Sequence, residues 1–199
     1  ITTNDYKGYR IPTGYYKGEL ADSDLTPYIN NVTKKLKDLG WGENTKILML
    51  THKLLSKQQN YSNLLECLDK HFKDFDDVYV VFFETIVEPI YIALKTNNVS
   101  LLYETLGVQR NPIDTKLHKQ KWLVFLKDIE EARTKSIYDV IKCCIDFKYL
   151  PISPVIQEQF NRFTSGIDEK YHKKNLGFFY NISYSEAINA IAFHKADGL

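Results

Sequence analysis

Residues with catalytic or metal-binding chemistry are scattered along this sequence of 199 residues, and none of them forms a recognisable site. The five histidines are His52, His71, His118, His172 and His194. None has a second histidine at the spacing of a metal site, so no zinc site is predicted. The adjacent acids Asp76 and Asp77, and Glu130 and Glu131, have the chemistry for general acid-base catalysis. Solvated helix faces or turns explain both pairs more simply.

The sequence also lacks the short motifs that hold nucleotides or activate nucleophiles. It contains no G-x-x-x-x-G-K-[ST] phosphate loop, no G-x-G-x-x-G, no H-E-x-x-H, no G-x-S-x-G and no EF-hand loop. No ATP turnover, catalytic residue or bound cofactor is therefore predicted for these residues alone. A self-contained enzyme of another class stays open as an alternative, and it would require a deep pocket lined by converging polar groups.

Basic residues cluster only locally, because 26 Lys and Arg against 25 Asp and Glu leave a net charge of +1. Such a balance supplies no strong global field, so any contact with DNA must be local. Lys116, Lys119 and Lys121 stand beside Trp122, a combination that can neutralise phosphates and stack on a base. The simpler alternative is a solvated helix face with Trp122 in the core.

A second candidate DNA contact follows a short apolar run, 46–50, that is typical of a buried parallel strand. Thr51 and His52 come directly after it, at the strand end where open α/β sheets bind ligands. Lys53 and Lys57 are four residues apart, so they can meet one phosphate if this segment is helical. Local hydrogen bonding in a loop is the alternative for Thr51 and His52.

Hydrophobic periodicity predicts a mainly helical chain with a small α/β portion near its start. A helix is expected over 24–39, with Pro27 near its first turn and Gly40 as its stop. The apolar stretch 78–94 is expected to be helical, with a kink or break at Pro89. A long charged helix is expected further on, and its apolar positions are Leu117, Leu123, Leu126 and Ile129.

Capping signals mark the starts of four further helices. Asn98 is expected to cap a short helix that stops at Gly107. The other residue pairs at capping positions are Ser136 with Asp139, Ser153 with Pro154, and Ser183 with Glu186. The last pair has the full S-x-x-E pattern, so the Glu186 carboxylate is expected to bond back to the start of its own helix.

Cysteine usage and hydropathy indicate the cellular setting. Cys143 and Cys144 are adjacent, and the three cysteines form neither a disulfide framework nor a C-x-x-C pair, which predicts a reduced, cytoplasmic location. The longest apolar runs, 78–83 and 90–94, are far shorter than the roughly 20 residues of a membrane span, so no membrane contact is predicted. The polar opening stretch has no signal-peptide core, and both ends are expected to be cuts within a longer chain.

The segment 45–61, TKILMLTHKLLSKQQNY, resembles a block of a group of bacterial UvrD/Rep-like DNA helicases. In that family the block lies in the second RecA-like motor domain, before a large helical insertion. Lys121-Trp122 followed by 136–141 is similar to a pattern in that insertion. The tail 194–199 resembles the motif with which such helicases re-enter the RecA-like fold, although Asp197 replaces the lysine of the family.

The resemblance implies a motor that couples ATP hydrolysis to movement along single-stranded DNA. The phosphate loop and magnesium-binding acids of the family lie upstream, so ATP and magnesium are expected for the parent protein only. The implied organisation is a partial RecA-like segment over 1–75, a helical insertion over 76–182 and a return to the RecA-like domain over 183–199. The expected partners are a DNA single strand or junction and the remaining motor domains. The candidate DNA contacts are Thr51, His52, Lys53, Lys57, Lys116, Lys119, Lys121, Trp122 and His194.

Two classes of function therefore remain open. The first is a non-catalytic part of an ATP-dependent DNA helicase that contributes DNA contact or regulates unwinding. The second is a helical protein-interaction or regulatory module without nucleic-acid binding. The first predicts DNA affinity that weakens with salt, and the second predicts an exposed apolar patch on the helical part.

Overall fold

The computed structural model describes residues 22–40, 52–68, 77–107, 116–166, 170–171 and 174–197. The helices in these ranges are α1 (Asp22–Asp38), α2 (His52–Gln58), α3 (Ser62–Leu68), α4 (Val78–Phe82), α5 (Glu88–Lys95), α6 (Val99–Leu106), α7 (Lys116–Ala132), α8 (Ile137–Phe147), α9 (Pro154–Thr164), α10 (Leu176–Asn181) and α11 (Tyr184–Asp197). A π-helical turn, π1 (Phe83–Val87), joins α4 to α5. Two short strands, β1 (Lys170–Tyr171) and β2 (Lys174–Asn175), precede α10.

The expectation of a mainly helical chain is confirmed. The predicted buried strand over 46–50, with Thr51 after it, lies outside the described residues. The small α/β portion and its RecA-like sheet therefore stay predictions. The strand pair that the described ranges do contain is antiparallel, with Lys170 opposite Asn175, so it is not a piece of a parallel sheet.

The chain divides into two compact units, Ile1–Met49 and Leu50–Leu199. The helices on both sides of the predicted boundaries at residues 75 and 182 belong to the second unit. α3 and α11 flank the predicted insertion, and they contact each other within the second unit. The assignment of 1–75 and 183–199 to a RecA-like domain stays a prediction.

The first unit contains α1, which begins two residues before the predicted start. Pro27 is its sixth residue, so it lies inside the helix and cannot donate the backbone hydrogen bond of an ordinary residue there. The helix ends at Asp38, and Gly40 follows as the expected stop, because this residue has a left-handed φ of 79° that costs glycine little. Val32 and Leu36 are half-buried and four residues apart, as an amphipathic helix requires.

In the second unit the apolar stretch 78–95 is one continuous helical rod with a π-helical turn in its middle. The amide of Glu88 donates to the carbonyl of Phe83, five residues earlier, directly before Pro89. Proline has no amide hydrogen and its ring crowds the carbonyl four residues before it, so an extra residue in the preceding turn relieves the clash. The expected disturbance at Pro89 therefore takes the form of π1 rather than a break.

Local capping fixes the short helices as the sequence predicts. The Asn98 side chain accepts from the amide of Leu101 at 3.1 Å, and α6 stops at Gly107, which has a left-handed φ of 62°. Ser136 and Asp139 form a complete capping box, in which each side chain accepts from the backbone amide of the other residue. These expectations are confirmed because each depends on partners no more than four residues apart.

A buried ion pair ties three elements of the second unit together. The Arg133 guanidinium, after α7, donates to both carboxylate oxygens of Glu88 on α5, at 3.0 and 2.7 Å. The hydroxyl of Tyr184, at the start of α11, donates to the same carboxylate at 2.9 Å. The guanidinium also lies 3.7 Å from the ring centroid of Tyr91. Such a bidentate, hydrogen-bonded pair fixes how these elements meet.

Candidate nucleic-acid interface

The first twelve residues of α7 contain four lysines and no acid, since the first carboxylate of this helix is Asp128. Lys116, Lys119 and Lys121 are all exposed, as the sequence-based hypothesis requires. Lys116 and Lys119 are three residues apart and therefore neighbours on the helix surface, whereas Lys121, two residues after Lys119, projects from a different side of the helix. We call these three residues the α7 basic segment. It is a local concentration of cations of the kind that contacts phosphates.

The Lys121 side chain is held beside Tyr149, which follows α8. Its Nζ donates to the Tyr149 hydroxyl at 2.9 Å and lies 5.4 Å from the centre of the ring. His118, one turn earlier on α7, is half-buried and its ring is 6.2 Å from the same tyrosine. Tyr149 itself is 46% exposed. One lysine of the α7 basic segment, Lys121, therefore has an exposed aromatic ring beside it.

Trp122 does not serve as that aromatic ring, because it is 3% exposed. It packs edge-on against Phe125 and Phe147, with ring centroids 6.1 and 4.7 Å away. The alternative that placed Trp122 in the core is confirmed, and a base-stacking role is wrong for this conformation. Its indole also lies against the Tyr149 ring, with centroids 6.5 Å apart.

Of the four apolar positions that the sequence suggested for α7, Ile129 is buried as expected and Leu126 is half-buried, but Leu117 and Leu123 are exposed. Leu117 is 60% exposed, Leu123 is 55% exposed, and the neighbouring Val124 is 59% exposed. The buried residues are instead Trp122, Phe125, Ile129 and Ala132. This helix carries apolar side chains around most of its circumference, and the larger aromatic ones remove more area from water when they face the core. Three aliphatic side chains are consequently left in solvent beside the lysines.

The structure describes only part of the second candidate DNA contact, which consists of Thr51, His52, Lys53 and Lys57. Thr51 lies outside the described residues, and His52 and Lys53 lie in the first turn of α2, where only the backbone is described. Lys57, in the last turn of α2, is half-buried rather than fully exposed. A shared phosphate contact of Lys53 and Lys57 stays a prediction.

His194, the last candidate, faces a carboxylate. Its Nδ1 is 3.5 Å from an oxygen of Glu84, which lies on π1. The imidazole is 46% exposed and the Glu84 side chain 19% exposed. A neighbouring negative charge opposes a phosphate, so this position is a poor site for a DNA backbone contact.

The sequence reasoning missed a contact between the two ends of the helical part. Both carboxylate oxygens of Glu186, on α11, accept from the start of α3: from the Asn63 amide at 3.0 Å, the Asn63 side chain at 2.7 Å and the Leu64 amide at 3.1 Å. The capping box expected between Ser183 and Glu186 is therefore wrong, because the free amides of another helix take the carboxylate. Tyr61 and Phe193 stack beside this cap, with centroids 6.2 Å apart.

Covalent and metal chemistry find little support in the described ranges. Burial and the nearby Asp128 and Asp146 raise the pKa of the Cys143 thiol to about 12, and burial also raises that of Cys144, so neither is an activated nucleophile. No group of three or more potential metal ligands occurs among the described residues. A depression along α9 is open, and its lining comes from that helix and the residue directly after it, and includes Glu158 and Arg162. It is not the deep pocket that an enzyme would need.

Comparison of the chain with protein-family models, curated proteins and solved structures gives no match. The resemblance to UvrD/Rep-like helicases therefore rests on the segment 45–61 and on the weaker similarities within α7, α8 and the tail. In the described part of the chain, no helix combines the length and the apolar composition that crossing a membrane demands.

Proposed function

We propose that the chain is a non-catalytic part of an ATP-dependent DNA helicase of the UvrD/Rep-like kind, and that its second unit contains a helical insertion that contacts DNA. The hydrolysis of ATP, with its magnesium ion, would be carried out by motor domains of the parent protein outside these residues. The 199-residue chain would bind DNA and limit or direct unwinding. Its candidate contact is the α7 basic segment.

The meeting of α3 and α11 supports the insertion. A unit inserted into a host fold must leave and re-enter it at neighbouring points, so the helices at its two ends have to lie side by side. α3 follows the block 45–61, and α11 contains residues 194–197 of the tail 194–199 that resembles the re-entry motif. The Glu186 cap on Asn63 and Leu64 fastens these two ends, which are more than 120 residues apart in sequence.

The single observation that supports contact with DNA is the positive charge of the first turns of α7. Its exposed lysines are concentrated in the first two turns, whereas the acids Asp128, Glu130 and Glu131 lie in the last two. A DNA phosphate near the first turns therefore meets positive charge without a competing carboxylate on the same helix. Each phosphate neutralised by a lysine releases a counterion, so this kind of binding weakens as salt rises.

The test is fluorescence anisotropy of a labelled junction between single-stranded and duplex DNA, titrated with the 199-residue protein at about 50 and 200 mM salt. We expect binding that weakens with salt and that falls when Lys119→Ala and Lys121→Ala are combined. Each lost phosphate contact lowers the slope of log affinity against log salt by about 0.7 to 0.9.

The matched control combines Lys135→Ala with Lys142→Ala, which changes the net charge by the same amount. Both of these lysines are exposed, and each is paired with an acid four residues away on the chain, Glu131 and Asp146. We expect this variant to bind the junction almost as tightly as the native chain. An equal loss in both variants would mean that only net charge matters, and no binding by the native chain would exclude the DNA role.

A second candidate function, a protein-interaction module, is favoured by the exposed Leu117, Leu123 and Val124. Leu117 and Val124 are seven residues apart and share one side of α7, and exposed aliphatic side chains grouped in this way are typical of surfaces that another protein covers. This candidate predicts no salt-sensitive DNA affinity, so the same titration separates the two.

A further inference from the structure

The charges of α7 change sign about the middle of the helix. Three exposed lysines precede that middle, and three exposed acids follow it at matching distances. From the outside inwards, the opposite residues are Lys116 and Glu131, Lys119 and Glu130, and Lys121 and Asp128. The midpoints of the three pairs all fall at residue 124 to within half a residue. A surface with this arrangement is complementary to a second copy of itself that is turned end to end.

Exposed aliphatic side chains lie at the centre of the charge pattern. Leu123 and Val124 are 55% and 59% exposed, and both project away from the core that Trp122 and Phe125 join. Apolar groups at the centre of a helix surface, with opposite charges towards its two ends, are typical of a helix that packs against another helix. In two end-to-end copies these aliphatic groups would meet one another.

We propose that α7 pairs with α7 of a second copy of this chain, with the two helices antiparallel and Val124 close to the two-fold axis that relates them. The inference goes beyond the DNA-binding role and does not depend on it. A parallel pairing would place lysines against lysines and acids against acids, which disfavours it. The antiparallel pairing covers Lys119 and Lys121, so a pair of this kind and bound DNA would exclude each other.

The charged residues lie on matching edges of the exposed surface. Lys121 and Asp128 are seven residues apart, and Lys119 and Glu130 are eleven apart, so each pair spans nearly whole turns and shares one side of the helix. A two-fold axis between antiparallel helices brings each edge of one helix against the same edge of the other. Each edge therefore forms two contacts between a lysine and an acid.

The ion pairs that these acids make within one chain are compatible with the contact. Lys95 and Tyr91 contact the same oxygen of Glu130, and Lys135 contacts one oxygen of Glu131. The charged side chains of these two pairs are 47 to 65% exposed. Exposed pairs contribute little to stability, so each carboxylate can also accept from a lysine of the second copy through its other oxygen.

The first test is sedimentation equilibrium of the 199-residue protein under reducing conditions. One helix from each copy buries less than the roughly 800 Å² per partner of a standard interface, so we expect a dissociation constant on the order of 10 to 100 µM. The average mass should rise with concentration from 23.2 kDa towards twice that value. A mass that stays at the monomer value throughout this range would refute the pairing and leave the DNA-binding role standing.

Exchanging the charges tests which residues form the contact. Lys119→Glu combined with Lys121→Glu should raise the dissociation constant at least about tenfold, and so should Asp128→Lys combined with Glu130→Lys, because like charges then meet. An equimolar mixture of these two variants should form a dimer again, since opposite charges face each other once more. A mixture that stays monomeric would contradict the proposed pairs.

The matched control combines Lys142→Glu with Arg162→Glu. This variant changes the net charge as much as the double lysine variant does, and both residues are exposed on other helices, α8 and α9. It should dimerise as the native chain does. An equal loss in this variant would show that net charge, rather than the surface of α7, controls association.

Mild oxidation of cysteine variants tests the antiparallel geometry. Val124→Cys should form a disulfide-linked dimer, because the two copies of this residue lie side by side at the axis. Leu117 is as exposed, at 60%, but its two copies would be separated by about 20 Å along the helices, so Leu117→Cys should not be linked. Equal linking of both variants would contradict the antiparallel pair.

Discussion

Replacing Arg133 by methionine removes one half of a buried ion pair on which three elements of the second unit meet. The side chains of Arg133 and Glu88 are 16% and 10% exposed, so the pair is shielded from most of the solvent. Without the guanidinium, the Glu88 carboxylate keeps only the Tyr184 hydroxyl, at 2.9 Å, among the three donors described for it. An unpaired charge is left in a place where water cannot solvate it fully.

The expected loss in the free energy of unfolding is about 3 kcal/mol, at the lower end of the range for breaking a buried pair, because Arg133 retains some exposure. For a unit of this size that loss lowers the Tm by roughly 6 to 12 °C. Urea unfolding followed by circular dichroism measures the first quantity and a thermal scan the second.

The double variant Glu88→Gln with Arg133→Met isolates the cause. A glutamine oxygen still accepts from Tyr184 but carries no charge, so we expect the double variant to be more stable than Arg133→Met alone. Lys135→Met is the control, since it breaks an exposed pair with Glu131 and should leave the Tm almost unchanged. A loss below about 1 kcal/mol for Arg133→Met would show that the pair behaves as a solvated one, and would refute the expected cost of an unpaired buried charge.

Two further predictions concern the cap on α3 and the thiols. Glu186→Ala should lower the free energy of unfolding by about 1 kcal/mol and should speed hydrogen exchange at the amides of Asn63 and Leu64, because these amides lose their acceptor; unchanged exchange there would contradict the cap. Cys143 in the folded chain should react with iodoacetamide at pH 8 on the order of a hundredfold or more slowly than an unstructured cysteine, because burial first, and then the nearby carboxylates, raise its pKa to about 12. Peptide mass spectrometry before and after unfolding measures this difference, and fast alkylation of the folded chain would contradict it.

The elements that sequence reasoning predicted well are those fixed by neighbours in the chain. Asn98 and Gly107 bound α6 as expected, and the capping box of Ser136 with Asp139 is formed, because both partners of each interaction are visible within a few residues. The disturbance at Pro89 was also predictable, although its form as a π-helical turn was not. The extra residue before the proline depends on how the whole rod packs in the core.

The prediction from sequence was wrong where a side chain binds a residue that is far away in the chain. Ser183 and Glu186 have the spacing of a capping box, but the amides at the start of α3 take the Glu186 carboxylate. Only the fold brings those helices together, so no pattern near Glu186 could reveal the contact.

The candidate site was predicted in its charges but not in its apolar groups. Lys116, Lys119 and Lys121 are exposed as expected, and Trp122 lies in the core as the simpler alternative had it, but Leu117 is exposed where the sequence suggested an apolar, buried position. Apolar residues occur around most of the circumference of α7, so its periodicity does not determine which side is buried. Tyr149 was missed because it lies outside that helix. Tyr149 reaches Lys121 only because α7 packs against α8, and the sequence alone does not show that packing.

The central claim is that α7 contacts DNA, and lysine acetylation in the presence and absence of oligothymidine tests it most directly. Mass spectrometry would report the acetylation of each lysine separately, with Lys135 and Lys142 as internal references on another part of the surface. We predict that bound oligothymidine protects Lys116, Lys119 and Lys121 and leaves the two references unchanged. Equal acetylation of the three α7 lysines with and without bound DNA would contradict the claim.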